Sequence, residues 1–151
     1  MGANLGRDGA AGEEAEEGAP MRFIIEGPPV TKKNSPRILR GRNGRPFVAP
    51  SKASQRWQRD AAIELLRQYR RGHKCQAGVA AFTAPVNLRA LIYRKHDGPG
   101  DLDNYIAAVC DALQTAGIVA NDRLIRGHDG SRLLVDRERP RVEIELTPLP
   151  G

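Results

Sequence analysis

Gly100-Asp101-Leu102-Asp103-Asn104 is followed by an apolar run and then by Gly117 and Asn121-Asp122. Within the run, Ile106, Val109, Cys110 and Leu113 recur at helical spacing, which predicts a helix over about residues 103–116 with Gly117 as its stop. Three carboxylates, Asp101, Asp103 and Asp122, therefore gather around one predicted helix, while the rest of the chain is strongly basic. Acids collected at one place in a basic protein suit a divalent cation acting on a polyanion. A metal-dependent nuclease needs that combination.

Outward from this stretch, 151 residues suffice for one domain with a real core. Net charge is +6. One arginine against five acids gives residues 1–20 a charge of −4, so the remainder carries +10. Such a domain calls for an acidic partner, nucleic acid first among them. Residues 1–20 are Gly, Ala and Glu with little to bury, and read as a disordered acidic tail. The folded domain is expected over 21–151, and Met21, where the ordered pattern begins, could itself be the start. Two cysteines, Cys75 and Cys110, make neither a zinc framework nor a disulfide set. A reduced thiol at Cys110 and a cytoplasmic location are expected. No apolar run reaches the length of a membrane span.

Residues 22–26 read as a strand ended by Gly27-Pro28-Pro29. Residues 30–53 form a basic loop without an acid, containing the hairpin turn signal Asn43-Gly44. Ser54 reads as the N-cap of a helix to about Arg70, with Trp57, Ala61, Leu65 and Tyr69 as its buried stripe and Gly72 as its end. Val86, Leu88, Ala90 and Ile92 alternate as a half-buried strand. Residues 124–134 suggest a hairpin turning at Asp129-Gly130, and Val142, Ile144 and Leu146 a last strand. The order implies an α+β fold, a small mixed sheet with two main helices packed on it.

Asp101 and Asp103, two apart in extended chain, face one point beside the helix start, where the helix dipole favours anions. The helix carries the chain roughly 20 Å away. Residues 117–122 bring Asp122 back only if nearly extended, so that segment is expected to run antiparallel along the helix. Two carboxylates about 4 Å apart repel by about 4 kcal/mol at an effective dielectric near 20, and a hard cation such as Mg²⁺ removes the conflict. The plain alternative makes Asp103 and Asn104 capping residues and Asp122 a turn residue. An EF-hand fails because Tyr105 and Ile106 stand where a ligand and a glycine are needed.

Asp101-Leu102-Asp103-Asn104, the helix ending Asp111-Ala112-Leu113 with Gly117 after it, and Asn121-Asp122 before an aliphatic strand resemble the RusA family of Holliday junction resolvases. Lys32-Lys33-Asn34-Ser35 followed by Arg37 is similar to a basic segment of phage-type members. The resemblance spans about residues 21–147. It implies a homodimeric, Mg²⁺-dependent endonuclease, with Mn²⁺ as a substitute ion, that cuts four-way DNA junctions by paired nicks in recombination and repair. It also implies Asp101, Asp103 and Asp122 as catalytic metal ligands. Two departures stand out. Ala107 occupies the position where the family often has a lysine, and Asn121 stands where some members have an acid. Lys95, Arg123 and Arg126 are the candidates to supply the missing cation.

Lys32, Lys33, Asn34, Arg37, Arg40, Arg42 and Arg45 are expected to lie against DNA phosphates, positioning branched DNA without reading bases. Asn104 and Asp111 point the same way from the helix and are expected to support the site, Asp111 by pairing with an arginine behind it or by holding Asn104. The alternatives to a junction nuclease are a non-catalytic structure-selective DNA-binding protein and a metal nuclease acting on other branched DNA.

Overall fold

The computed structural model describes residues 19–32, 37–49, 51–73 and 79–150. The expected acidic tail lies almost wholly outside them, as do Lys33, Asn34 and Cys75.

The sheet begins with β1 (Met21–Glu26), whose Met21, Phe23 and Ile25 point inward while Arg22, Ile24 and Glu26 point out. A two-stranded ribbon follows, β2 (Arg37–Arg40) antiparallel to β3 (Pro46–Ala49). It turns at Asn43-Gly44 as the sequence indicates, with Gly44 at φ +78 and the Asn43 side chain accepting from the Arg45 amide. Helix α1 (Lys52–Gly72) is capped by Ser51, not Ser54. Ser51 Oγ accepts from the Ser54 amide, and the buried Ser54 hydroxyl donates back to the Ser51 carbonyl. The expected stripe of Trp57, Ala61, Leu65 and Tyr69 is buried.

β4 (Val86–Arg94) is the central strand. Val86, Leu88, Ala90 and Ile92 are fully buried beneath α2 (Leu102–Thr115) and α1. β7 (Arg141–Pro148) lies antiparallel between β4 and β1, with Val142, Ile144 and Leu146 inward. The helices occupy one face, so the expected α+β arrangement of two main helices on a mixed sheet is what forms.

Residues 124–134 do not form a hairpin. β5 (Ile125–Gly127) and β6 (Arg132–Val135) both run parallel to β4, in succession along the same edge. The reason is topological: β4, α2 and β5 make a βαβ unit, and a strand returning after a crossover helix runs parallel. The Asp129-Gly130 turn interrupts the edge instead of reversing it. Side chains bridge the interruption. Asn87 pairs with the amide and carbonyl of Asp129, and Ser131 Oγ accepts from the Ala90 amide and donates to the Leu88 carbonyl.

The outer sheet face is a charged ladder, with Arg22 and Arg89 on Glu145 and with Arg141 held by Asp136 and Glu143 over the Tyr93 ring. Among the described residues no helix is long and apolar enough to cross a membrane.

Candidate active site

Asp101 occupies the N-cap position of α2, extended at φ −98 and ψ 149. Its carbonyl accepts from the amides of Asn104 and Tyr105, but its carboxylate makes no capping bond and is exposed. A capping role for Asp103 or Asn104 therefore does not hold. Asp103 lies exposed in the first turn, with Asn104 half-buried beside it. Asp101 and Asp103 are thus two carboxylates at one helix N-terminus, a place that favours negative charge.

The approach to Asp101 is built by a residue that sequence reasoning passed over. Arg94, last on β4, is buried at 8% exposure. Its Nη1 donates to the Gly98 carbonyl at 2.8 Å and the Pro99 carbonyl at 3.2 Å, and its Nη2 reaches Asp97 Oδ1 at 2.9 Å. The guanidinium lies 5.8 Å from the centre of the Tyr105 ring. Tyr105, from the first turn of α2, also packs where a Cβ on Gly100 would sit, 3.2 Å from its ring, and Gly100 is at φ +121. Arg94 therefore ties residues 97–99, which lead directly into Asp101, to the end of β4. The signal was present: position 94 continues the inward alternation of 86, 88, 90 and 92.

Asp122 is positioned separately. After α2, Gly117 at φ +79 closes a Schellman cap, with the Ile118 amide on the Leu113 carbonyl and the Gly117 amide on the Gln114 carbonyl. Val119 bridges to Phe82, and Asn121 caps a short 3₁₀ turn, Asp122–Leu124, through the Arg123 amide at 2.8 Å. The Asp122 amide donates to Gln114 Oε1 at 2.7 Å. Gln114 thereby fastens the returning segment to the exposed side of α2. The return is shorter than a fully extended run would give, because the chain stops to bridge Phe82 and then turns.

Asp103, Ala107, Cys110, Asp111 and Gln114 fall on one side of α2 at 3.6 residues per turn. Asp101 and Asp103 stand at its start, and Asp122 stands against its second half. Cys110 registers this. Burial, with the negative charges of Asp111 and Asp122 beside it, pushes its thiol up to about 12. Lys32 also reaches this side, its Nζ 3.1 Å from Asp111 Oδ2. The partner of Asp111 is therefore a lysine of the basic loop and not an arginine behind the site. Arg126 is engaged locally, its Nε donating to the Arg123 carbonyl at 3.3 Å.

Among the described residues, no three His, Cys, Asp or Glu side chains converge closely enough to hold a metal ion. The donors still suit a hard cation, because all three are carboxylates open to solvent. Mg²⁺ is commonly held by one or two carboxylates, with water and substrate phosphate completing its shell, and not by a closed protein cage. The pair at the head of α2 fits that pattern.

Of the expected DNA contacts, Lys32, Arg40, Arg42 and Arg45 are exposed, and Arg40 Nη1 donates to the Gly44 carbonyl. The sequence model of a family described as endodeoxyribonuclease RusA matches residues 26–147, which takes in the ribbon, both helices and the sheet except for most of β1. No curated protein matches the chain.

Proposed function

The chain belongs to the RusA family of Holliday junction resolvases, which are endodeoxyribonucleases, and from that premise we infer a Mg²⁺-dependent enzyme that resolves four-way DNA junctions by paired nicks. The observation that supports it best is the pair of exposed carboxylates, Asp101 and Asp103, at the N-terminus of α2 in an otherwise basic chain, with the Asp122 amide tied to Gln114 of the same helix. Asp101 and Asp103 would hold the ion, with Mn²⁺ able to replace it, and Asp122 would complete the site once a phosphate is seated. When bound, the ion supplies charge neutralisation at the phosphodiester and a more acidic water.

This chain's own residues do the remaining work. Arg94 sets the path into Asp101, while Gln114 and Asn121 fix where Asp122 stands. Lys32 places a cation beside Asp111 on the same side of the helix. Exposed Arg40, Arg42 and Arg45, with Lys33, Asn34 and Arg37 of the same sequence segment, would hold phosphates. A homodimer suits the substrate, because a two-fold enzyme can present one site to each of two symmetric scissile positions. Recombination and repair are the processes that such a cut serves.

A synthetic four-way junction incubated with Mg²⁺ and, separately, with chelator tests this reading. Paired nicks that vanish with chelator are the expected result. Cleavage of flaps at a greater rate than junctions would assign a different branched substrate. One observation favours a second reading: exposed Ala107 lies between Asp103 and Asp111, where the family resemblance implies a lysine. A protein that binds junctions and yields no product under any divalent ion would be the non-catalytic DNA-binding form of the fold.

A further inference from the structure

The β2–β3 ribbon stands away from the body of the protein. Among the described residues its strands pair with each other and make no comparable packing with the sheet or with either helix. A two-stranded ribbon alone is marginal in water, and this one is apolar on both faces. Ile38 and Val48 face each other across the strands at 75% and 70% exposure. On the opposite face Leu39 and Phe47 pair at 39% and 48%. Among the described residues these four include the two most exposed large hydrophobic side chains.

Charge indicates what covers them. Every ionisable residue from 30 to 53 is basic: Lys32, Lys33, Arg37, Arg40, Arg42, Arg45 and Lys52. A second copy laid face to face on this ribbon would bring two such sets together. A polyanion is attracted instead. Phosphates alone would not need Ile38 and Val48, whereas the unstacked faces of bases would. Four residues per strand make a ribbon roughly 13 Å long, and a two-stranded ribbon fits the major groove of DNA. Apolar side chains inserted between base steps are a known way of opening a duplex.

We propose that the ribbon is a wedge. Ile38, Val48 and Phe47 pack against bases unstacked at the branch point, while the arginines around them hold the flanking phosphates. The proposal rests on the junction-resolving reading and deepens it: phosphate contacts supply affinity, and the apolar pair supplies selectivity for a branch over plain duplex.

The test uses the full chain and the double variant Ile38→Thr/Val48→Thr, which keeps β-branched residues so that the ribbon is retained. The substrate is a four-way junction with 2-aminopurine beside the branch, compared with linear duplex. Wild-type protein should raise the 2-aminopurine fluorescence on binding. The variant should bind duplex as wild type does, lose about tenfold in junction affinity, and give no fluorescence rise. Unchanged junction affinity and fluorescence in the variant, with the wild type still cutting junctions, would overturn the wedge alone. Wild type that neither binds nor cuts junctions would overturn both readings. A variant that loses self-association in sedimentation, with junction fluorescence intact, would assign the ribbon to a second copy and overturn the proposal.

Discussion

Lys32 Nζ lies 3.1 Å from Asp111 Oδ2, which joins the basic segment after β1 to the exposed side of α2. The two groups are 57% and 38% exposed, so the pair contributes under about 1 kcal/mol to stability. Its value lies in placement. It sets one cation on the helix side that carries Asp103 and receives Asp122, and it does so from a different part of the chain than Ala107. Lys95, Arg123 and Arg126 were the cations that the sequence pointed to; among the described residues, the one with an ion pair on this side of the helix is Lys32.

Removing that cation should therefore lower cleavage with little effect on folding. Lys32→Ala is expected to lose about tenfold in junction cleavage, about 1.4 kcal/mol, at a nearly unchanged thermal midpoint. Because Asp111 already neutralises Lys32, the slope of log affinity against log salt should hardly move. A slope smaller by about 0.9 would mean that Lys32 leaves Asp111 for a phosphate, and would refute the positioning role.

Asp103→Asn and Asp122→Asn should each abolish most cleavage, by a hundredfold or more on the scale of lost catalytic groups, while junction binding stays near wild type. Gel shift in Ca²⁺ and cleavage in Mg²⁺ separate the two effects. Cleavage by Asp122→Asn at the wild-type rate would remove Asp122 from the site and leave only the pair at the helix start.

Much of this was legible in the sequence, for a physical reason. α1, α2, β4 and β7 each carry a long period on one face, and periodicity records burial directly. The Asn43-Gly44 turn was visible because it demands φ > 0, whereas residues 30–53 read as a loop and not as the two strands that flank it. The Asp129-Gly130 signal misled because the same φ requirement is met at Gly130 inside an interrupted edge strand, where Asn87 and Ser131 supply the missing ladder bonds. Local turn chemistry cannot state whether a chain reverses. Asp101 and Asp103 were legible as a pair because two residues apart is a local fact. Where Asp122 would stop was not, because Gln114 and the Phe82 bridge decide it from elsewhere.

Arg94 should matter to both folding and rate. Arg94→Met leaves the Gly98 and Pro99 carbonyls without their donor, at a cost of about 2 kcal/mol, or roughly 6 °C in thermal midpoint for a domain of this size. Junction cleavage at a temperature where the variant is folded should fall further, because residues 97–100 no longer direct Asp101. Arg94→Lys restores charge without the fork that reaches two carbonyls and Asp97 together, so it should recover little. Full activity in Arg94→Met would show that the loop holds itself.

Acid should loosen the edge that backs this loop. The Arg141 guanidinium, with the amides of Arg139 and Glu138, holds the Asp136 carboxyl below its ordinary value of 3.8. The folded state thus favours the ionised form. The stability from this contact is present above the ordinary value and is lost as pH falls through the lowered one. The Asp136 amide also donates to the Arg94 carbonyl at 2.8 Å, so the loss is transmitted to the end of β4. In acid titration followed by near-ultraviolet circular dichroism, Asp136→Asn should show a weaker pH dependence than wild type below about pH 4. Identical acid transitions would place the titrating contact elsewhere.

The last expectation concerns Ala107, which is exposed one turn beyond Asp103 and one turn before Asp111. A lysine there would follow Asp103 at i,i+4, an acid-before-base order that stabilises a helix by about 0.3 kcal/mol, so Ala107→Lys should fold at least as well as wild type. Its ammonium would reach the side of α2 that Lys32 now serves from the loop. If a cation at this place is what the reaction needs, Ala107→Lys should restore cleavage to Lys32→Ala while adding little to the wild type, which already has one. Raised cleavage in both backgrounds would mean that Lys32 does a separate job. No rescue in Lys32→Ala, in a variant whose junction binding is intact, would show that the position of the cation, and not its presence, is what Asp111 provides.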